Sequence, residues 1–236
     1  YQDLDEGEVI LNAIEFAGIM YIFTDRAIWK MWVVGDVSLS PFGFNRWYTA
    51  PQNRIGALAY ENALTSTGKE LFWLGRDTIY WANQFSSGPT AADWLLKASG
   101  AMFAGDHALD PNFCFAPQAY SISNSESSGR EVWFSYPRAS TGTGINDYSL
   151  VLSLNTDSKL APYETADYVD FGYTAFCTFS RNISAGSDCK YTPTLIGASG
   201  EDWCLKSLGS GYQRERVSLI NADPEVDIPD ANYAVV

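Results

Sequence analysis

The chain has 236 residues, of which 46% are apolar and 15% aromatic, a composition that fills a sizeable core and excludes disorder. Charged residues make up only 18% but sum to −13, which argues against a surface that grips nucleic-acid phosphates through clustered Lys and Arg. No stretch approaches the ~18 consecutive apolar residues of a membrane helix.

The first eight residues, YQDLDEGE, form an acidic segment (1–8) with neither the basic region nor the apolar core of a targeting signal. The chain opens on Tyr rather than Met, which suits a fragment. Strand patterning begins in GEVILNAIEF (7–16). It is followed by YIFTDRAIW (21–29), where two bulky β-prone runs flank the polar turn TDRA, and then by FGFNRWYT (42–49). The same phrasing returns in RIGALAYENAL (54–64) and FWLGRDTIY (72–80). A connector helix is expected at TAADWLLKASG (90–100), with Thr90 as cap, Asp93 three residues on and Gly100 as stop. The third cycle reads FCFAPQAYSIS (113–123), EVWFSYPR answered by DYSLVLSL (131–154), and APYETADYV (161–169). The fourth reads VDFGYTAFCTF (169–179), PTLIGASGEDWCLKSL (193–208) and YQRERVSLI (212–220).

Successive hairpins are spaced by about 51, 61 and 62 residues, a degenerate repeat near the range of propeller blades. Each unit orders a strand rich in small or apolar residues and a hairpin, and three of the four add a further, outer strand. The spacing therefore predicts an all-β, β-propeller-like domain over 9–222 with about four blade-like antiparallel sheets, or a piece of a larger propeller, ending in an acidic segment at 223–236. Helix should stay under about a tenth of the chain, well below the usual third. Phe23, Trp29, Phe72, Leu74, Ile79, Trp133 and Phe134 are expected to be buried between sheets.

Chemistry-bearing residues are sparse. The single histidine, His107, has Asp106 and Asp110 near it but no nucleophile motif, so it reads as a satisfied loop residue rather than a triad member. Glu15, Glu61 and Asp170 fall on presumed inner strands, where paired carboxyls could support glycoside hydrolysis, although strand-end solvation explains each as well. Asp25, Arg26, Arg76 and Asp77 read as turn chemistry. The acidic loops lack the ligand spacing of a calcium site, and STGTGIND (140–147) is a hairpin tip rather than a phosphate cradle. Cys114, Cys177, Cys189 and Cys204 follow no metal or disulfide framework, and free thiols are expected, with a Cys177–Cys189 bridge as the alternative. NIS (182–184) matches a glycosylation sequon.

In MYIFTDRAIWKM, IGALAYENALTSTGKELFWLGRDTIYW, EVWFSYPR and LIGASGEDWCLKSL the sequence resembles β-propeller proteins of tailed-bacteriophage virions, most of all the nozzle or tail-tube-end proteins of short-tailed phages. The resemblance implies a structural role in the virion tail, made in the host cytoplasm. It implies a ring of subunits that continues the DNA channel and contacts other tail proteins, without catalytic residues, cofactors or membrane partners. Nozzle proteins are longer, with platform and fibre-docking domains that four hairpins do not supply. An acidic wall suits a DNA conduit, because phosphate contacts would add friction to ejection. The expected contact surface is SPFGFNRWY (40–48), where Phe42, Phe44 and Trp47 follow a Pro/Gly turn and need not fit one core. A carbohydrate-binding or glycoside-hydrolysing propeller is the alternative, with Trp47, Tyr48, Trp81 and Trp94 as possible sugar-stacking rings.

Overall fold

The computed structural model describes residues 7–35, 41–46, 62–75, 78–83, 102–113, 115–123, 130–154, 163–182, 191–199, 204–208 and 214–218. These residues form four antiparallel sheets, each a meander of strands consecutive in the chain. Sheet 1 comprises β1 (Ile10–Phe16), β2 (Ile19–Thr24), β3 (Ile28–Val33) and β4 (Phe42–Arg46). Sheet 2 comprises β5 (Leu64–Ser66), β6 (Glu70–Leu74) and β7 (Ile79–Asn83). Sheet 3 comprises β8 (Gln118–Ser123), β9 (Arg130–Tyr136), β10 (Tyr148–Leu154) and β11 (Tyr163–Val169). Sheet 4 comprises β12 (Ala175–Asn182), β13 (Tyr191–Ala198), β14 (Cys204–Leu208) and β15 (Arg214–Ser218). No helix is among the named elements, and the segment expected to be helical at 90–100 lies outside the described residues.

The repeated phrases occupy equivalent places. YIFTDRAIW is the β2–β3 hairpin and FWLGRDTIY the β6–β7 hairpin, in each case the second and third strands of a sheet. The hairpins read at 131–154 and 193–208 are likewise second and third strands. Turn chemistry accounts for the polar centre of the phrase. Thr24 Oγ1 accepts the Ala27 N–H at 2.8 Å, and Gly75 N–H reaches Thr78 O at 2.8 Å in the second copy. Asp25 also accepts the Val9 N–H at 2.9 Å, fastening the chain before β1, while Arg26 stays solvated beside it. Arg76 and Asp77 lie outside the described residues.

Side chains alternate across a strand, so a sheet covered on both faces needs apolar residues at consecutive positions. Strand β6, ELFWL, meets that need. Leu71 and Trp73 pack with Phe16, Tyr21, Phe23 and Ile28 of sheet 1. Phe72 and Leu74 face the other way and pack with Val132, Phe134, Leu150 and Leu152 of sheet 3. On the far side of sheet 3, Trp133 and Val151 pack with Phe171, Tyr173 and Phe176 at the entry to sheet 4. The sheets therefore stack in chain order.

They also converge along one edge. The strands of different sheets that approach most are β1 with β5 and β5 with β8, all three the first strand of their sheet. Ala119 N–H donates to Asn62 O at 3.2 Å and the Ser121 hydroxyl to Ser66 O at 2.7 Å across the β5–β8 seam. Tyr120 of β8 then stacks on Phe176 of β12 with centroids 5.4 Å apart. Two glycines permit the tightest junctions. A Cβ on Gly172 would lie 2.3 Å from the Asn146 backbone carbon, and one on Gly197 would lie 2.1 Å from the Tyr173 ring.

Phe23, Phe72, Leu74, Ile79, Trp133 and Phe134 are buried as expected. Trp29 is not: it is only half-buried, because it lies on the side of sheet 1 turned away from sheet 2.

Candidate functional site: the open face of the first sheet

Register aligns Ala13, Ile22, Trp29 and Arg46 across sheet 1, and beside them Glu15, Met20, Met31 and Phe44. Val33 pairs with Phe42 at the outer corner. These residues alternate with Ile14, Phe16, Tyr21, Phe23 and Ile28, which face sheet 2, so they form the opposite face. Among the described residues, none of this face joins a buried cluster. Exposure is 73% at Val33, 57% at Ile10 and 43% at Phe42, while Met20, Ile22, Met31 and Phe44 are half-buried. The expected interaction residues thus divide. Phe42 and Phe44 sit together on this face, and Trp47 lies outside the described residues.

A polar knot borders the apolar area. The Glu8 carboxylate, with its side chain 1% exposed, accepts the Trp29 Nε1–H at 2.8 Å and the Thr24 hydroxyl at 2.9 Å. Arg46 Nη2 lies 3.3 Å from its other oxygen, with the guanidinium carbon 5.9 Å from the Trp29 ring centre. Sequence reasoning missed this knot because its members, Glu8, Thr24 with Trp29, and Arg46, come from three separate stretches. On the sheet's other side, Lys30 lies over the Tyr21 ring at 5.4 Å, and burial pushes its ammonium below, and the Tyr21 phenol above, their ordinary ranges.

The residues singled out for chemistry are placed elsewhere and engaged otherwise. Glu15 accepts the Gly18 N–H at 2.7 Å in the β1–β2 turn, where Ala17 and Gly18 both have positive φ, 54° and 78°, a pairing that matches the twist of a tight hairpin. Asp170 is ion-paired with Arg138 at 3.0 Å on sheet 3, and Glu61 lies outside the described residues. The structure does not bring Glu15 and Asp170 onto one sheet. His107 stacks on Tyr148 with centroids 4.7 Å apart and planes 4° from parallel, and its backbone carbonyl accepts the Tyr136 hydroxyl at 3.1 Å. Arg138 covers Tyr148 at 4.6 Å and binds the buried Asp147 through Nε at 3.0 Å. Burial works against the Arg138 charge, but the hydrogen bond and charge of Asp147, with the charge of Asp170, hold it more firmly protonated. Burial raises Tyr136 and Tyr148 above the usual phenol range, and for Tyr136 the neighbouring Tyr168 and Tyr148 add to the rise. This cluster clamps the 102–113 connector to the β9–β10 turn. Its one sequence trace is the Arg138/Asp147 pair flanking that turn.

Trp81, considered as a sugar-stacking ring, is 5% exposed in the core between sheets 2 and 3, while Trp47, Tyr48 and Trp94 lie outside the described residues. Cys177 is an exposed free thiol, and Cys189 lies outside the described residues. Among the described residues there is no group of three or more His, Cys, Asp and Glu placed to hold a metal ion. No protein-family model matches the chain, and no curated protein matches it significantly.

Proposed function

We propose that the protein works by assembly, as a structural component of a phage virion tail, and that the open face of sheet 1 is a contact surface through which it joins other tail subunits. The observation that carries the assembly reading is the apolar side of a complete four-stranded sheet, with Val33 73% and Phe42 43% exposed. Exposed apolar patches of this kind, bordered by polar groups, favour association because joining removes them from water. The virion setting rests on the phage-like phrasing of the repeated hairpins, and the acidic charge is compatible with a wall beside DNA.

In the same proposal the four sheets are blades of a propeller. Their meander order, their stacking in chain order and the approach of β1, β5 and β8 support that arrangement. The role is non-enzymatic, and it requires no cofactor and no membrane.

The test is a Phe42→Ser/Phe44→Ser double variant. Its far-ultraviolet circular dichroism should match that of the parent, whereas its incorporation into tails, scored by electron microscopy of particles, should drop severalfold. Normal incorporation of the variant would remove this face from the assembly.

A further inference from the structure

Sheets 1, 3 and 4 have four strands each, whereas among the described residues sheet 2 ends at its third, β7. It is also the one unit whose sequence shows no outer strand after the hairpin. The backbone of β7 is therefore an edge, and two hydrogen bonds fix its phase. Gly75 N–H donates to Thr78 O at 2.8 Å, and Leu74 N–H turns the other way, to Ala63 O just before β5, at 2.9 Å. Alternation along the ladder then bonds Tyr80 and Ala82 to β6 and turns the main-chain N–H and C=O groups of Ile79, Trp81 and Asn83 outward. Edges are ordinarily guarded by Lys, Pro or a bulge. IYWAN (79–83) contains no charged residue and no Pro, and its register with β6 is unbroken. Its layers are already core on both sides, since Ile79 and Trp81 pack with sheet 3 and Ala82 with sheet 1.

Sheet 1 shows the same gap from its own side. Ile28, Lys30 and Trp32 alternate onto the face turned toward sheet 2, and there Trp32 leans over Gly43 of the outer strand β4. A Cβ on Gly43 would fall 2.5 Å from the indole ring. Trp32 nonetheless stays 37% exposed, and Asn45, two residues along β4, is exposed as well. First strands approach first strands in this stack, so β4 would face a fourth strand of sheet 2.

We infer that the β7 edge takes up an extended strand from another protein, which completes sheet 2 as its fourth strand. The outward groups of Ile79, Trp81 and Asn83 bond its main chain, as in other strand additions to a sheet edge. Alternate residues of the added strand face sheet 1, where an apolar side chain covers Trp32. A net charge of −13 favours a strand whose remaining positions carry Lys or Arg. This surface lies on the opposite side of sheet 1 from the open face and stands independently of the tail role.

The test pans a yeast-displayed library of random peptides, about ten residues long, on the immobilised full chain. Enriched peptides should alternate apolar with basic residues and bind more weakly as salt rises. Asn83→Pro removes an outward N–H at the strand end and should weaken their binding about tenfold. Trp32→Ser should weaken it about threefold, and both variants should keep the parent's circular dichroism. Amide hydrogen exchange of the parent chain is a second measurement that needs no variant to fold. Without peptide, the amides of Ile79, Trp81 and Asn83 should exchange at least about tenfold faster than those of Tyr80 and Ala82, and peptide should slow them. Outward amides already protected in the free chain would mean that this chain or a second copy closes the edge, which overturns the inference. Failure to enrich any peptide, enrichment of acidic peptides, or binding indifferent to Asn83→Pro overturns it as well.

Discussion

Strands β6 and β3 are near neighbours in composition and opposites in circumstance. Strand β6, ELFWL, is covered on both sides, and its Leu71, Phe72, Trp73 and Leu74 are at most 2% exposed. Strand β3, IWKMWV, is as bulky, yet only Ile28 is buried, and exposure climbs to 73% at Val33. The difference lies in what stands opposite each face, not in the strand itself. Sheet 2 has a neighbour on each side, while sheet 1 has one described neighbour. Bulky apolar content therefore does not by itself guarantee burial, and in β3 the described residues leave part of the strand uncovered.

Stability measurements can break this comparison. The widest gap should separate Trp73→Ala from Val33→Ser. Trp73 packs against Phe23 at 5.7 Å and stacks on Tyr80 at 5.6 Å, so truncation should cost ~3–5 kcal/mol in denaturant unfolding. Val33→Ser, on the open corner, should move stability by less than about 0.5 kcal/mol in the monomer. Equal effects would mean that the two strands are covered alike.

A smaller loss is expected at the border of the open face. Glu8→Ala removes the acceptor of the Trp29 Nε1–H and the ion pair with Arg46, while the Thr24 hydroxyl keeps Ala27 O at 3.0 Å, and should cost about 1–3 kcal/mol. Far-ultraviolet circular dichroism during urea unfolding would register it. An unchanged midpoint would show that the segment before β1 does not brace the sheet.

A modest loss at neutral pH is expected at the connector clamp. Tyr136→Phe removes the hydroxyl bond to His107 O and should cost about 1 kcal/mol at pH 7. Its signature is alkaline. The folded chain raises the Tyr136 pKa, so its proton is held more tightly than in the unfolded chain. Stability from this group is fully present below the unfolded value of about 10 and is lost as pH rises above it. The melting temperature of the parent should fall more steeply above pH 10 than that of the Phe variant. Parallel curves would remove Tyr136 as the source.

Much of this architecture is legible in the residues. The four hairpins stand out because a bulky run, a polar turn and a second bulky run leave few alternatives, and the strands before and after them follow from the repeat. Trp29 shows where legibility stops. Alternation assigns it to a face, but only the neighbouring sheet decides whether that face is core. The Glu8 knot and the His107–Tyr148–Arg138 stack were hidden for a related reason. Their members are separated by up to tens of residues and meet only once the sheets form. Phe42 and Phe44 both stand in the five-residue β4 that ends sheet 1, after Pro41 and with Gly43 between them.

The meander order of the sheets has a kinetic consequence. Every strand pair in the four sheets joins neighbours along the chain, so each sheet closes only short loops as it forms. Such a chain should fold faster than a Greek-key sandwich of equal length, whose pairings span longer loops. It should also acquire structure from its N-terminal end during synthesis, one sheet at a time. A nascent chain released after β7 would then hold sheets 1 and 2 already paired, but with the sheet-3 side of Phe72 and Leu74 still bare. That transient surface, rather than the finished protein's open face, is where premature association during synthesis would begin.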